Sequence, residues 1–335
     1  MKLRTALIFV NSILLLFYFK NNSASSILDI SAGRENSSPF NFTSGNRVKP
    51  DGYRDITKYE DGFIAAGSDG RIDRISVSGE IIKSEKFHGV EFNCILSNNQ
   101  MIIAAGDKGS ILISSNKGAF KKVNGGTNKN INSLALFKGK IIAGTDHGEI
   151  LVGDEKGLFK KIQLGLKGNI VSVSARKSGC YGVTDEGEII HTVDGINWDI
   201  LDFNKFYSGY YKPCSFTKVL ATENQIAVAG VHDDGSPVLM LSTGGKVWSE
   251  RSLSYTDDHG MISYLTDIPY DIFYDLAIDQ FILACSKGKI MTIPSCSHCN
   301  QLMVLSTEDL MGISGNGNEL MIVGENFYIK AINTE

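Results

Sequence analysis

Arginine and net positive charge are scarce in this sequence. The formal net charge is −4 over 335 residues, so we expect no basic face of the kind that binds nucleic acid. After residue 80 the arginines are Arg176 and Arg251 alone, a poor supply for a site that holds an acidic substrate between several guanidinium groups. Proline is also rare, with six residues against 35 glycines. This balance favours many tight turns.

Long apolar runs are missing except at the start of the chain. Residues 6–19 form one run of 14 residues behind Lys2 and Arg4, whereas a helix that spans a membrane needs about 20. We therefore predict a cleaved export signal over residues 1–25, with a retained signal anchor as the alternative. No other segment has membrane length. The expected location is secreted or periplasmic, and no integral membrane segment is expected beyond the signal.

Cysteines are few and unevenly placed. An exported chain is permitted to form disulfides. The three that lie in apolar, strand-like runs are expected to be buried free thiols: Cys94, Cys180 and Cys285. Cys296 and Cys299 stand in "SCSHCN" and predict a local disulfide, while a pairing of either with Cys214 or Cys285 is the alternative. A zinc site is disfavoured because the sequence offers no second paired motif.

A repeated phrase dominates what the sequence does contain. A short apolar run ends in a small residue, a polar turn with glycine follows, and a second apolar run begins, as in "FIAAGSDGRI" and "IIAAGDKGSI". Seven copies are present, and their equivalent positions are Gly67, Gly106, Gly144, Gly182, Gly230, Cys285 and Gly324. The successive gaps are 39, 38, 38, 48, 55 and 39 residues. A unit near 40 residues with two longer gaps is typical of propeller blades.

The predicted fold is all-β: a seven-bladed β-propeller of four-stranded antiparallel blades. The alternating apolar runs broken by Gly, Asn and Asp favour hairpins throughout. The last copy ends after its third strand, and we predict that a strand around residues 39–48 supplies the fourth and closes the ring. The expected organisation is a signal over 1–25, an N-terminal segment with the closing strand over 26–50, and the propeller over 51–335.

Two stretches place a tryptophan behind a polar turn, "HTVDGINW" at 191–198 and "STGGKVW" at 242–248. They resemble the Asp-box, or BNR, repeat of seven-bladed propellers, a group that includes sialidase-type folds and photosystem assembly factors. The resemblance implies that these boxes brace the rim away from the functional face. The residues with this expected structural role are Thr192, Asp194, Gly195, Trp198, Ser242, Gly245 and Trp248.

Both longer gaps are expected to be connections between blades, after blades four and five. Long loops on a rigid scaffold commonly carry binding residues, and the enlarged turn inside blade five falls between these two. We expect the three segments to meet and to bind a glycan or a protein; the alternative is that their aromatics only pack the loops. The candidate ligand-binding residues are Tyr207, Tyr210, Tyr211, His232, Asp233, Asp234, Tyr255, Asp257, Asp258 and His259.

Metal and cofactor sites are not expected. The turns within successive blades carry carboxylates that a cation would accept, namely Asp69, Asp107, Asp146, Asp185 and Asp233. Ordinary turn chemistry is the favoured interpretation of these residues. His232 and His259 would form a zinc or acid–base site only if their loops meet, and their spacing matches no ligand signature.

Three functional classes remain. The favoured one is a non-catalytic recognition propeller. A glycoside hydrolase needs two placed carboxylates, for which Asp257 or Asp258 with Asp233 or Asp234 would serve, but a sialidase would also need an arginine cluster. The third is an assembly or scaffold factor, and the photosystem family is expected to use an arginine-rich patch that this chain lacks. Fold likeness alone does not decide among them.

Overall fold

The protein folds into seven small antiparallel sheets arranged as a seven-bladed β-propeller. The computed structural model describes residues 49–98, 100–116, 118–294 and 300–333. The predicted signal, the predicted closing strand at 39–48 and the Cys296–Cys299 pair lie outside the described residues. All-β architecture and the count of seven blades are as predicted from the repeat.

Each blade runs outward from its first strand to its last, in sequence order. Blade one is β1 Tyr53–Tyr59, β2 Gly62–Gly67, β3 Arg71–Ile75 and β4 Ile81–Lys86; blade two is β5 Phe92–Ser97, β6 Met101–Gly106, β7 Ser110–Ser115 and β8 Lys121–Asn124; blade three is β9 Ile131–Phe137, β10 Lys140–Thr145, β11 Glu149–Gly153 and β12 Phe159–Gln163. Blade four is β13 Ile170–Arg176, β14 Gly179–Thr184, β15 Glu188–Thr192 and β16 Asp199–Asp202; blade five is β17 Cys214–Ala221, β18 Ile226–His232, β19 Pro237–Ser242 and β20 Ser249–Glu250. Blade six is β23 Pro269–Asp275, β24 Gln280–Cys285, β25 Lys289–Pro294 and β26 Gln301–Val304; blade seven, within the described part of the chain, is β27 Leu310–Asn316, β28 Glu319–Gly324 and β29 Ile329–Asn333.

Apolar side chains between neighbouring blades form the core. Second strands such as β6 are buried along their whole length, because a sheet inside the ring has a neighbour on both faces. The ring closes where Tyr53 and Ile56 of blade one pack with Met321 and Val323 of blade seven. Each such buried aliphatic side chain contributes roughly 1.5–3 kcal/mol. The blades therefore hold one another, and no blade has a core of its own.

The glycine of the repeated turn is required by a close approach of backbone. In blade two Gly109 has φ +68°, and a Cβ there would lie 2.1 Å from the Thr127 carbonyl oxygen. In blade six Gly288 has φ +70°, and a Cβ would lie 1.9 Å from the Ser306 carbonyl oxygen. A side chain at either position would collide with the segment that leads to the next blade. The turn glycines therefore allow successive blades to sit close together.

Two insertions flank blade five, whose outer strand β20 has only two residues. The first insertion, residues 203–213, begins with the helical turn α1 Phe203–Phe206. The second, residues 251–268, contains the hairpin β21 Ser254–Thr256 and β22 Ile262–Tyr264. Both follow outer strands, as the two longer gaps predict. No helix in the described part of the chain is both long and apolar enough to span a membrane.

Candidate functional site

The two stretches predicted to be Asp boxes are turns closed by their own hydrogen bonds. Asp194 accepts hydrogen bonds from the backbone N–H groups of Ile196 and Asn197, each at 2.8 Å, and from the hydroxyl of Thr192 at 3.0 Å. These donors hold the pKa of the Asp194 carboxyl well below its usual range. Gly195 has φ +76° and donates to Thr192 Oγ1. With its acceptor capacity used inside the turn, this box braces its own hairpin.

The second box has no aspartate and depends more on its tryptophan. Gly245 donates to Ser242 Oγ at 2.8 Å, and the Trp248 indole donates to the Gly245 carbonyl at 3.2 Å. Trp248 is buried between blades four and five, whereas Trp198 is only partly buried between blades three and four. Both boxes thus lie at interfaces between blades.

The first insertion covers the side of blade five with its tyrosines. Tyr207 and Tyr211 stack around the buried Phe203, and their hydroxyls donate to the carbonyls of Lys246 and Trp248, each at 3.2 Å. These two predicted ligand residues therefore pack the loop onto the ring. Tyr210 points away and is 84% exposed. Of the three tyrosines, Tyr210 is the one free to meet a partner.

The turn inside blade five meets the first insertion, as expected. Lys212 donates to Asp234 at 2.5 Å, and Asp233 donates its backbone N–H to the Pro213 carbonyl. Asp234 also accepts from Ser236, and the hydrogen bonds from Lys212 and Ser236 hold the pKa of the Asp234 carboxyl well below its usual range. The contact fixes the insertion against the blade. The Asp234 carboxylate is therefore already bound by Lys212 and Ser236.

His232 lies beneath this contact and approaches Cys214 and Glu250, neither of which was predicted to bind or react there. Its Nδ1 is 3.4 Å from the Cys214 sulfur, and its Nε2 is 3.5 Å from Glu250 Oε1. Cys214 begins strand β17 directly opposite His232 on β18, and Glu250 belongs to the short strand β20. A thiol, an imidazole and a carboxylate thus stand in sequence at the interface of blades four and five.

The second insertion is anchored on blade six. Asn300 donates to the carbonyls of Ser252 and Ser254 at 2.9 and 2.8 Å, and Arg251 donates to the Pro294 carbonyl at 2.7 Å. Its hairpin packs beside the outer strand β26. Asp257 accepts from the backbone of His259 and Met261 and from Ser263. Tyr255 packs into the core between blades five and six.

The tip of the hairpin carries Asp258 and His259, the last two of the predicted ligand-binding residues. Asp258 and His259 are exposed there, whereas His232 is buried beside Cys214 in blade five. The structure therefore brings together the first insertion and the blade-five turn, while the hairpin is held at blade six. Across the described ranges no group of three or more His, Cys, Asp or Glu side chains is arranged to hold a metal ion.

Four of the five carboxylates predicted to ring the turns have local partners. Asp107 and Asp146 each accept from an asparagine of their own blade's first strand, Asn93 at 2.8 Å and Asn132 at 2.9 Å. Asp185 accepts from Asn169, and Asp69 pairs with Lys86 at 2.9 Å. Lys49 also pairs with Asp107. These contacts are those of ordinary turn and loop chemistry.

A second polar cluster lies on the innermost strands. Every first strand has a bulge near its start, and the residue after the bulge occupies the same place in each blade: Asp55, Cys94, Ser133, Ser172, Lys218, Asp271 and Gly312. We call this set the inner ring. Lys218 donates to Asp271 Oδ1 at 2.9 Å. Burial lowers the pKa of Lys218, but Asp271 and Asp55 outweigh this effect and hold it above the usual value.

Asp55 has the opposite balance. Burial raises the pKa of its carboxyl to about 6, with Asp271 adding to the rise and Lys218 opposing it. Two backbone N–H groups donate to it, Ile56 at 3.0 Å and Ile95 at 2.8 Å. The inner ring therefore holds a charged lysine–aspartate pair beside an aspartate that titrates close to neutral pH.

Comparison with known proteins supports the architecture. No protein-family model and no curated protein matches the chain. Among solved structures the chain is similar to one described as the computationally designed Ika8 protein, with a TM-score of 0.61 and 10% sequence identity. The likeness covers 85% of this chain and 96% of that one. At this identity the likeness concerns the fold alone, and it agrees with the propeller of the described residues.

Proposed function

We propose that this chain is an exported, non-catalytic recognition propeller that binds a protein partner beside blades five and six. The observation that supports this is the apolar outer surface of the hairpin. Met261, Ile262 and Tyr264 are 65, 72 and 66% exposed. Large apolar side chains clustered on one surface element commonly mark sites of protein–protein contact.

The neighbouring strand extends this surface. Met303 and Val304 of β26 are 51 and 63% exposed, and β26 is the strand that the hairpin packs beside. The hairpin is also held firmly, because Asn300 binds its base at two carbonyls. A rigid apolar element loses little conformational freedom on binding, which favours affinity. Met, Ile and Val in this surface suit a protein better than a sugar.

A glycan is the second candidate, and a different observation favours it. Phe206 and Tyr210 of the first insertion are 66 and 84% exposed, and exposed aromatic rings stack on sugars. A glycoside hydrolase has less support: Asp234 is engaged by Lys212 and Ser236, and Asp257 by its own hairpin. A free pair of carboxylates on either side of a glycosidic bond is what that chemistry needs.

The test is affinity capture from an extract of the source cells, read by mass spectrometry. The variant is Ile262→Ser with Tyr264→Ser, and the matched control is Leu158→Ser, which removes a 70% exposed apolar side chain from blade three. We expect a protein that is retained by the wild type and the control and lost by the hairpin variant. Equal retention by all three would contradict the proposed surface. Tyr210→Ser on a glycan array tests the second candidate.

A further inference from the structure

We propose that Cys214 is a base-assisted thiol that exchanges with small-molecule disulfides, with His232 accepting its proton. The inference goes beyond partner recognition and does not depend on it. It stands on the order of three side chains, in which the imidazole of His232 lies between the Cys214 thiol and the Glu250 carboxylate. A nucleophile, a base and a group that orients the base are the parts of an activated thiol site.

The carboxylate fixes which ring nitrogen faces the thiol. An ionised carboxylate only accepts hydrogen bonds, so the imidazole N–H belongs on Nε2, the nitrogen 3.5 Å from Glu250. The lone pair is then on Nδ1, which lies 3.4 Å from the Cys214 sulfur. This tautomer allows the thiol to donate to the imidazole. The arrangement is the one needed for proton transfer from sulfur to nitrogen.

The resting thiol is neutral. Burial raises the pKa of Cys214 to about 12, and the charges of Glu250 and Asp233 add to the rise. A thiol of this kind is almost unreactive without help, because the thiolate is the nucleophile. A neighbouring base that takes the proton as the new bond forms removes this obstacle. His232 is the base in place.

The surroundings favour chemistry at sulfur over acyl transfer. An acyl-transfer site needs backbone N–H groups free to hold an oxyanion. Here the Cys214 N–H donates to Asn204 Oδ1 at 2.8 Å, and the Asp233 N–H donates to the Pro213 carbonyl. Both nearby donors are engaged. Exchange at a disulfide builds no oxyanion and has no need of them.

The step is balanced without a further reagent. The Cys214 sulfur attacks one sulfur of the small disulfide, the Sγ–S bond forms, and the S–S bond of the reagent breaks. The thiol proton passes to His232 Nδ1 and then to the departing thiolate. Cys214 is oxidised to a mixed disulfide, and the reagent is reduced to one thiol. Added thiol reverses the reaction.

Three other buried cysteines serve as internal controls. Cys94 and Cys180 have only backbone carbonyls as partners, of Ala105 and Tyr181, whereas the Cys214 sulfur has both the Lys212 carbonyl at 3.3 Å and the His232 imidazole at 3.4 Å. Cys285 lies in the core between blades five and six. All three are free thiols in the structure, as is Cys214. Cys214 is 4% exposed, under the first insertion, which limits the site to small reagents.

The experiment treats the full chain with 2-hydroxyethyl disulfide and measures the modification of each cysteine by peptide mass spectrometry. We expect Cys214 to react at least about tenfold faster than Cys94, Cys180 and Cys285. We expect the Cys214 rate to level off within the accessible pH range, whereas an unassisted thiol with a pKa of about 12 would show a rate that rises with pH through that whole range.

Two substitutions test the base. His232→Gln is expected to lower the Cys214 rate about 100-fold, and Glu250→Gln to lower it less, since the base remains. His259→Gln, the same change at the exposed hairpin tip, is expected to have no effect. The proposal is overturned if Cys214 reacts no faster than the other three buried cysteines, or if a folded His232→Gln keeps the wild-type rate. Should that variant not fold, Glu250→Gln and the wild-type pH profile decide.

Discussion

Lys218 of blade five and Asp271 of blade six form an ion pair at the inner ring, with Lys218 Nζ 2.9 Å from Asp271 Oδ1. The same carboxylate accepts two backbone N–H groups, from Ile272 at 2.8 Å and from Ile313 at 3.0 Å. It thus links three consecutive blades. Its position follows from a pattern that Asp55, Ser133 and Ser172 of the ring share.

The usual rule is that an inner-ring side chain accepts the N–H of the next blade. Ser133 accepts from Val173 at 3.0 Å, and Ser172 accepts from Val219 at 3.2 Å. Lys218 and Gly312 have no acceptor to offer. In both cases the next blade provides the acceptor for its own N–H group: Asp271 accepts from Ile272, and Asp55 accepts from Ile56. The two aspartates therefore lie in the blades whose N–H group finds no acceptor on the inner-ring residue of the preceding blade.

The first prediction concerns this pair. Lys218→Ser is expected to cost about 3 kcal/mol of stability, because it leaves the Asp271 charge enclosed without its cation. Lys218→Ser with Asp271→Ser restores the arrangement of blades three and four and should cost much less than the single change. Denaturant unfolding of the wild type, both single variants and the double variant gives the coupling energy. Additive losses would contradict the pairing.

The second prediction concerns pH. The Asp55 carboxyl has a pKa of about 6 in the folded protein, against 3.8 as its ordinary value. The folded state therefore binds this proton more tightly than the unfolded chain does. Its contribution to stability is complete below about pH 4 and is lost as the pH rises through about 6. Lys218 and Asp271 are the charged groups facing it.

The measurement is the difference in Tm between the wild type and Asp55→Asn, which removes this titration. We expect the wild type to gain relative to the variant as the pH falls from about 7.5 to about 4.5. Other titrating groups are common to both proteins and cancel in the difference. A difference that does not change with pH would mean that Asp55 titrates at its ordinary value.

Much of the fold could be predicted because the repeat is periodic and six of its seven copies carry the same turn glycine. The inner ring could also be found from the sequence, since Asp55, Lys218 and Asp271 occupy equivalent positions in the repeat. The arrangement of Cys214, His232 and Glu250 could not be predicted from the sequence. It depends on the register of β17 against β18 and on a two-residue strand, and a repeat alignment gives neither. Similarly, loop length predicted the insertions but not that Asn300 anchors the hairpin to blade six.

The third prediction separates the tryptophans of the two predicted Asp boxes. Trp248 is 3% exposed and donates to the Gly245 carbonyl. Trp198 is partly buried, and its indole N–H has no hydrogen-bond partner in the described part of the chain. Trp248→Ala should cost about 3–5 kcal/mol, and Trp198→Ala about 1–2 kcal/mol. Urea unfolding followed by far-ultraviolet circular dichroism measures both, and equal losses would show that the boxes brace their interfaces alike.

The last prediction tests the close approach at the repeated turns with a pair of glycines that share one backbone conformation. Gly288 and Gly317 have φ +70° and +68°, but an added Cβ at Gly288 would lie 1.9 Å from the Ser306 carbonyl oxygen, and at Gly317 it would meet nothing within 4 Å. Gly317→Ala therefore bears only the left-handed backbone cost of about 1–2 kcal/mol. Gly288→Ala bears the same cost and also forces the connection to blade seven outward. We expect its loss of stability in thermal and denaturant unfolding to exceed that of Gly317→Ala by at least about 1 kcal/mol. If the two variants are equally stable, the turn glycines serve only their φ angle, and the spacing between blades is set by the apolar side chains alone.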